Sequence, residues 1–209
     1  MPDSNKIPLF PLGIVLFPDI PLPLHIFEER YKLMINECLS NDSVFGITLH
    51  ADDKLYNIGC TAKIVSVLKK YEDGRMDILA QGVERFAIEN ISEEKPYLEA
   101  DVEYLSDSLK GPINPDLKED AVEFLKKIIE STGHETNLFD FEEMDSRQLS
   151  YIIAAYGGFT TSEKQELLEF EETENRLRKE LELSDAVMRR LEFSKRLSDI
   201  GKSNGRLLN

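Results

Sequence analysis

The stretch IPLFPLGIVLFPDIPLPLHIFEERYKLMINECL, residues 7–39, decides the fold because its hydrophobic period changes once along its length. As far as residue 26, short apolar runs such as 7–10 and 14–17 alternate with prolines. Proline has no backbone N–H and interrupts a strand ladder, so these runs predict edge or bulged strands of a small, irregular β-barrel. From Tyr31 onward, apolar residues recur three and four positions apart, which predicts one amphipathic helix over residues 27–39, inserted among the strands.

Further short strands are predicted between residues 44 and 105. Runs of β-branched and apolar residues recur there, at 44–49, 59–68, 85–91 and 98–105, and the runs 61–71 and 76–80 flank the pair Asp73-Gly74. Asp-Gly between two strand runs is typical of a tight β-hairpin, because such turns need residues that tolerate positive φ. We therefore expect an N-terminal β-domain over residues 1–110.

The second half of the chain predicts helices. Glycine and prolines interrupt the pattern at residues 106–115, and apolar residues then recur at helical spacing. Asp145 is a predicted helix start, because its side chain can accept hydrogen bonds from first-turn N–H groups. One long amphipathic helix, continuous or broken once, is expected over residues 169–199, and residues 201–209 are expected to be a loose tail. The fold class is thus α+β, with a C-terminal α-helical bundle over residues 111–209.

The charge of the chain argues against two classes of partner. The chain carries 25 Lys and Arg against 40 Asp and Glu, a formal net charge of -15, and both halves are acidic. Lys and Arg supply the affinity for nucleic acid and for anionic membrane surfaces. We therefore expect no nucleic-acid partner and no membrane partner. No segment has the roughly 18 apolar residues needed to span a bilayer, so the expected compartment is the cytoplasm.

No motif indicates catalysis, a metal or a cofactor. The fragment GKS at residues 201–203 matches the end of a phosphate-binding loop but lacks the earlier glycine and the preceding strand. His25, His50 and His134 are far apart and show no zinc-ligand spacing. His25 is interpreted as a half-buried structural histidine, because it lies in a proline-rich strand. The prediction is a protein that is not an enzyme and that uses no cofactor.

Five short motifs resemble, in order and approximate spacing, the N-terminal domain of Lon proteases. They are IPLFPL (7–12), VLFP (15–18), LPLHIFEERY (22–31), GVERF (82–86) and PYLEA (96–100). The resemblance is strongest over the first 105 residues. It implies a PUA-like β pseudo-barrel followed by a helical bundle.

The resemblance also implies a function. Lon proteases use this region to recognise unfolded or tagged substrates, so we expect a non-enzymatic polypeptide-binding module, for substrate recognition or as an adaptor. Its expected partners are unfolded or exposed peptide segments, together with a protease or chaperone. Lon proteases continue into an ATPase and a Ser-Lys protease domain, whose patterns are missing from these residues, so a stand-alone module is expected. The oligomeric state stays open.

Two alternatives to polypeptide binding also stay open. PUA-like barrels bind RNA elsewhere, although fold analogy is weak support for a function. The second alternative is a small-molecule binder with its pocket at the interface between barrel and bundle, because ligands often bind between domains. One departure from the family pattern is Asp19, where glycine is expected after Phe-Pro. Asp can take the place of glycine in this turn, because Asp adopts turn conformations with positive φ.

Two sets of side chains are candidates for the site. Glu28, Arg30 and Arg85 are expected to form a partly buried ion-pair network that ties the helix to the barrel, or to bind a partner. The aromatic candidates, for either core packing or apolar binding, are Phe10, Phe17, Phe27, Tyr31 and Phe86. A bound peptide is expected along an edge of the barrel, because an unpaired edge offers main-chain hydrogen bonds to any sequence.

Overall fold

A computed structural model describes residues 5–107, 113–132, 141 and 143–204 of the 209-residue chain. The predicted boundary at residue 110, His134 and tail residues 205–209 lie outside the described residues. The chain forms two compact units: a strand unit, Met1–Asp107 with Thr161–Glu171, and a helical unit, Ser108–Thr160 with Glu172–Asn209. The predicted domains 1–110 and 111–209 stay a prediction. The two units differ from them because residues 161–171 belong to the strand unit.

Six strands and five helices occur in the described residues. In chain order they are β1 (Lys6–Leu12), β2 (Pro21–Ile26), α1 (Glu29–Asn41), β3 (Phe45–Ala51), β4 (Lys54–Lys70), β5 (Met76–Ser92), β6 (Glu99–Leu105), α2 (Pro115–Thr132), α3 (Ser146–Tyr156), α4 (Thr161–Glu169) and α5 (Thr173–Asn204). The predicted α+β class is confirmed, and one helix, α1, is inserted among the strands as expected.

Five of the strands pair into a closed ring. The order is β5–β4–β3–β1–β6, and β6 pairs again with β5. All of these pairings are antiparallel except β1 with β3, which is parallel, with Leu9 opposite Gly46. β2 adds to the first part of β5, with Pro21 opposite Gln81 and Ile26 opposite Met76. Ring closure leaves few strand edges free, because each strand in the ring has two neighbours over part of its length.

The core of the ring contains a cluster of apolar side chains, namely Ile7, Leu9, Phe86, Ala100 and Val102. Two glycines, in β3 and β4, let the backbone pack against the aromatic side chain of Phe86. A Cβ at Gly59 would lie 2.6 Å from Cζ of Phe86, and one at Gly46 would lie 2.8 Å from the same atom. Both contacts are closer than real Cβ atoms allow, so the sheet needs glycine at these positions to close over Phe86.

β4 and β5 form one long hairpin, which is longer than the sequence predicts. The predicted runs 76–80 and 85–91 are parts of the single strand β5, and the predicted Asp73-Gly74 turn is confirmed, with φ of 81° at Gly74. A strand predicted at residues 14–17 is absent, and this stretch is irregular. The reason is the turn that follows, where Asp19 has the expected positive φ of 65° and donates its N–H to the Gly82 oxygen.

The helical unit contains α2, α3 and α5, which contact one another. Asp145 caps α3 as predicted, accepting hydrogen bonds from the N–H groups of Arg147 and Gln148. α5 continues to Asn204, so the prediction of a loose tail from residue 201 is wrong for its first four residues. No helix in the described part of the chain has the length and apolar character needed to cross a membrane.

Candidate polypeptide-binding surface

The outer surface of the β4–β5 hairpin exposes apolar side chains. Val65 and Leu68 of β4 are 56% and 60% exposed, and Val83 of β5 is 46% exposed. On the other side of the same strands, Met76, Ile78 and Ala80 are buried. The hairpin therefore has one face against the core and a second face on which apolar side chains meet solvent.

Val65 and Val83 line a shallow cavity of about 450 Å³. The cavity is also lined by Asp19, Lys63, Ile64, Gln81 and Gly82. We call the surface formed by Lys63, Val65, Gln81 and Val83 the β4–β5 face. Gly82, which lies between Gln81 and Val83 in β5, donates its N–H to the Ile20 oxygen over 3.0 Å. An apolar cavity with a few polar groups at its rim suits an apolar side chain on an otherwise polar backbone.

The regular pairing of β4 with β5 is broken three times. Register shifts occur between Cys60 and Ala62, where the extra residue lies on β5, and between Ile64 and Ser66 and between Val67 and Lys69, where it lies on β4. A β-bulge adds a residue to one strand and turns the following side chains. The bulges therefore give β4 an outer face that strict alternation along the sequence does not predict.

The outer half of β4 also has a free edge. β3 pairs with β4 only as far as Ala62, whereas β5 follows β4 to Lys70. In the part of the chain that the structure describes, the residues Lys63–Lys70 thus have a paired strand on one side alone. We call the other side the β4 edge.

Among the described strands β2 also has a neighbour on one side alone, but the chemistry of its other edge differs. Pro21 and Pro23 lie opposite Gln81 and Leu79, and proline has no N–H to donate to an added strand. Proline on an edge strand is one way in which proteins discourage further pairing. Peptide binding along a barrel edge stays a prediction, for which the β4 edge and the β2 edge are not equivalent.

His25 belongs to a polar cluster at the turn end of the hairpin. Its Nδ1 lies 2.5 Å from Oδ1 of Asp77, and the hydroxyl of Tyr71 donates to Oδ2 over 2.8 Å. These two hydrogen bonds hold the pKa of the Asp77 carboxyl below its ordinary value. The His25 side chain is 45% exposed and stacks on Phe27, with ring centroids 5.9 Å apart. Asp77 and Tyr71 are the members that the sequence did not indicate, because only the strand register brings them to His25.

The predicted aromatic candidates divide between core and surface. Phe17 and Phe86 are fully buried, and Phe10 and Tyr31 are nearly so, with ring centroids 4.1 Å apart. Phe27 is 60% exposed, so it differs from the other four. It is the one member of the set positioned to touch a partner without unfolding.

The predicted charged candidates form two separate sets of contacts, not one network. Nη2 of Arg30 lies 2.9 Å from Oε2 of Glu28, and both side chains are about half exposed. Arg85 is buried, with Nη2 2.8 Å from Oδ1 of Asp107 and Nη1 donating to the Leu168 oxygen over 3.0 Å. The physical reason is position along the chain: Glu28 and Arg30 flank the start of α1, whereas Arg85 lies inside β5 and reaches α4.

Comparison with known proteins places the chain in a family. The sequence model of the ATP-dependent protease La (LON) substrate-binding domain matches residues 6–185. The chain therefore belongs to the Lon substrate-binding domain family, and the resemblance expected from its first hundred residues is confirmed. Among the residues that the structure describes, no group of three or more His, Cys, Asp or Glu is placed to hold a metal ion.

Curated relatives are much longer than this chain. A Lon protease 2 of Syntrophobacter fumaroxidans is 26% identical over 95% of the chain and 27% of the relative, and one of Myxococcus xanthus is 28% identical over 94% and 25%. The chain thus spans about a quarter of the length of these relatives.

Two solved structures share the fold. The Lon N-terminal domain protein from Xanthomonas campestris superposes with a TM-score of 0.67 at 20% identity, covering 83% of this chain and 95% of that one. The N-terminal domain of Mycobacterium avium complex Lon protease gives the same TM-score at 16% identity, covering 86% and 98%.

Proposed function

We propose that this chain is a non-enzymatic module that binds exposed, partly apolar segments of other polypeptides on the β4–β5 face. The observation that carries the proposal is the exposure of Val65 and Val83 around a shallow cavity, in a member of a substrate-binding family. Exposed apolar patches with polar rims are typical of sites that bind other proteins. Phe27 extends the apolar surface at the turn end of the same hairpin.

The proposal includes a role in proteolysis. A recognition module of this kind would present clients to a protease or chaperone in the cytoplasm, as an adaptor. The family supports this reading, since its members contribute substrate binding to Lon proteases. We also propose the PUA-like description of the strand ring and the helical bundle of residues 111–209.

The test measures binding to a permanently unfolded, alkylated protein and to arrays of short peptides. In the double variant Val65→Ser, Val83→Ser, affinity is expected to fall about five- to tenfold, because both side chains lose apolar area that the partner would cover. Ile91→Ser is the matched control, since Ile91 also lies on β5 and is 41% exposed. Its affinity should match that of the unmodified chain.

Two results would contradict the proposal. One is the absence of any preference for apolar over polar peptides by the unmodified chain. The other is equal loss of affinity in Ile91→Ser and in the double variant, which would place the binding surface elsewhere.

A further inference from the structure

We infer that the β4 edge, Lys63–Lys70, binds acidic, extended polypeptide segments by taking them up as an added strand. The inference rests on the proposed function and names the class of segment that would be bound. Three properties of the edge carry it: its unpaired backbone, its charge and its contrast with the β2 edge.

The backbone of the β4 edge is available. β3 ends its pairing at Ala62, and no described strand replaces it beside Lys63–Lys70. A strand keeps half of its N–H and C=O groups on each side, so this side offers several donors and acceptors to a new neighbour. Strand addition uses main-chain hydrogen bonds for affinity and alternate side chains for selectivity.

The charge of the edge is opposite to that of the chain as a whole. The sequence KIVSVLKK at residues 63–70 holds three lysines and no acidic residue, in a chain of net charge -15. Lys63 pairs with Asp42 over 3.2 Å, but the two side chains are 50% and 85% exposed, and such exposed pairs are weak and easily exchanged. An added strand places its side chains about 5 Å from those of its neighbour, so acidic residues on it would lie beside the lysines.

The same lysines argue against a second copy of this chain as the occupant. Two β4 edges brought together would place like charges opposite one another, which is unfavourable. Lysine on an edge strand is a common device against self-pairing. An acidic segment meets no such repulsion, and the exposed Val65, on the same face as Lys63, can contact an apolar side chain on that face of the segment.

The β2 edge is an internal comparison. Pro21 and Pro23 remove two donors from a strand of six residues, so this edge is poorly suited to a regular added strand. The β4 edge has no proline in its eight residues. Strand addition is therefore expected at β4 and not at β2.

The experiment measures the binding of labelled peptides to the full chain by fluorescence anisotropy. The probes are an alternating Val-Glu peptide, its Val-Lys counterpart, and two Val-Glu peptides N-methylated at either the odd or the even positions. Only one set of N–H groups faces the partner strand in strand addition, so N-methylation of one set should abolish binding while the other set is tolerated. The Val-Glu peptide should bind about tenfold more tightly than the Val-Lys peptide.

Two triple variants test the charge. Lys63→Gln, Lys69→Gln, Lys70→Gln should lose the preference for the acidic peptide. Arg189→Gln, Lys195→Gln, Arg196→Gln changes the net charge equally, at exposed positions of α5, and should retain the preference.

Each remaining outcome has a defined meaning. Equal binding of both methylated peptides, or a preference kept in the lysine variant, overturns the inference and leaves the proposed function intact. Failure of every peptide also overturns it, and binding of the unfolded protein then decides the proposed function separately.

Discussion

Nη1 of Arg85 in β5 donates a hydrogen bond to the backbone oxygen of Leu168 in α4, over 3.0 Å and across 83 positions of sequence. The same guanidinium pairs with Asp107, and these two side chains are 1% and 4% exposed. A buried cation therefore fastens α4 to the strand ring, in keeping with the inclusion of α4 in the strand unit. The unfavourable desolvation of this charge is offset only while both partners stay in place.

Arg85→Met should destabilise the protein by about 3–5 kcal/mol, because it removes the cation beside a buried carboxylate. The matched control is Arg75→Met. Arg75 and Asp73 pair over 2.7 Å, but both side chains are about half exposed, so the loss should stay below about 1 kcal/mol. Urea denaturation of both variants gives the comparison. Similar, small losses in the two would show that the buried pair does not hold α4.

Gly82→Ala should destabilise the strand unit by about 1–3 kcal/mol or more, the usual effect of overpacking. An added Cβ would lie 2.1 Å from the backbone oxygen of Phe17, which cannot move aside as a flexible side chain would. Gly13→Ala is the control, since no atom lies within 4 Å of its Cβ position, and it should be neutral or slightly stabilising. Thermal unfolding of the two variants checks this. A neutral Gly82→Ala would mean that the segment before β2 does not pack against β5 as described.

Tyr97→Phe should cost about 1–3 kcal/mol at neutral pH, as expected for a hydrogen bond to a charged group. The buried Tyr97 donates its hydroxyl to Oε2 of Glu37 over 2.5 Å and accepts from Nζ of Lys95. The hydrogen bond from Tyr97, followed by that from Lys95, lowers the pKa of Glu37, so this stability is present above about pH 4.5 and is lost as pH falls through the lowered pKa. Denaturation at neutral and acidic pH should show the smaller effect in acid.

The control for this prediction is Tyr104→Phe. Tyr104 lies on β6 and is 36% exposed. Loss of its hydroxyl in Tyr104→Phe should change the stability of the protein little at either pH. An equal, pH-independent loss in both variants would contradict the role of Glu37.

Glu180→Gln should change how stability depends on pH. Glu180 is fully buried in the helical unit, where Ser150 Oγ donates to Oε1 over 3.1 Å and Arg176 donates to Ser150. Burial raises the pKa of Glu180 well above its ordinary value, against the opposing effects of Arg176 and Ser150. A carboxyl whose pKa is raised in the folded state stabilises the protein most at pH values below its unfolded-state pKa, near 4.5. This stabilisation is lost as pH rises through the folded-state pKa.

The unmodified chain should therefore lose stability relative to Glu180→Gln as pH rises from about 4.5 toward neutral. Glu182→Gln is the control, because Glu182 is 68% exposed and pairs only at the surface with Lys179. Denaturation at a series of pH values gives the difference in the free energy of unfolding between each variant and the unmodified chain. A pH-independent difference for Glu180→Gln would show that the buried carboxyl ionises normally.

Of the candidate site, the sequence indicated individual residues but not their groupings. Phe27 was grouped with four aromatic residues that the structure buries, and His25 was noted without Asp77 and Tyr71, the partners that it contacts. The exposure of the β4–β5 face follows from bulges in β4 and β5 and from the point at which β3 stops, and neither leaves a signal in the pattern of apolar residues. The family resemblance implied a polypeptide-binding surface without indicating which strands form it.

The sequence by itself determined the local geometry. The Asp73-Gly74 turn and the Asp145 cap each depend on hydrogen bonds and backbone torsions within a few residues, so residue type is sufficient. Tertiary structure alone decided that His25 meets Asp77 and that Arg85 meets Leu168. Such pairs lie more than fifty positions apart, and many chemically equivalent partners exist in the chain. Only the register of the strands and the packing of the core select one of them.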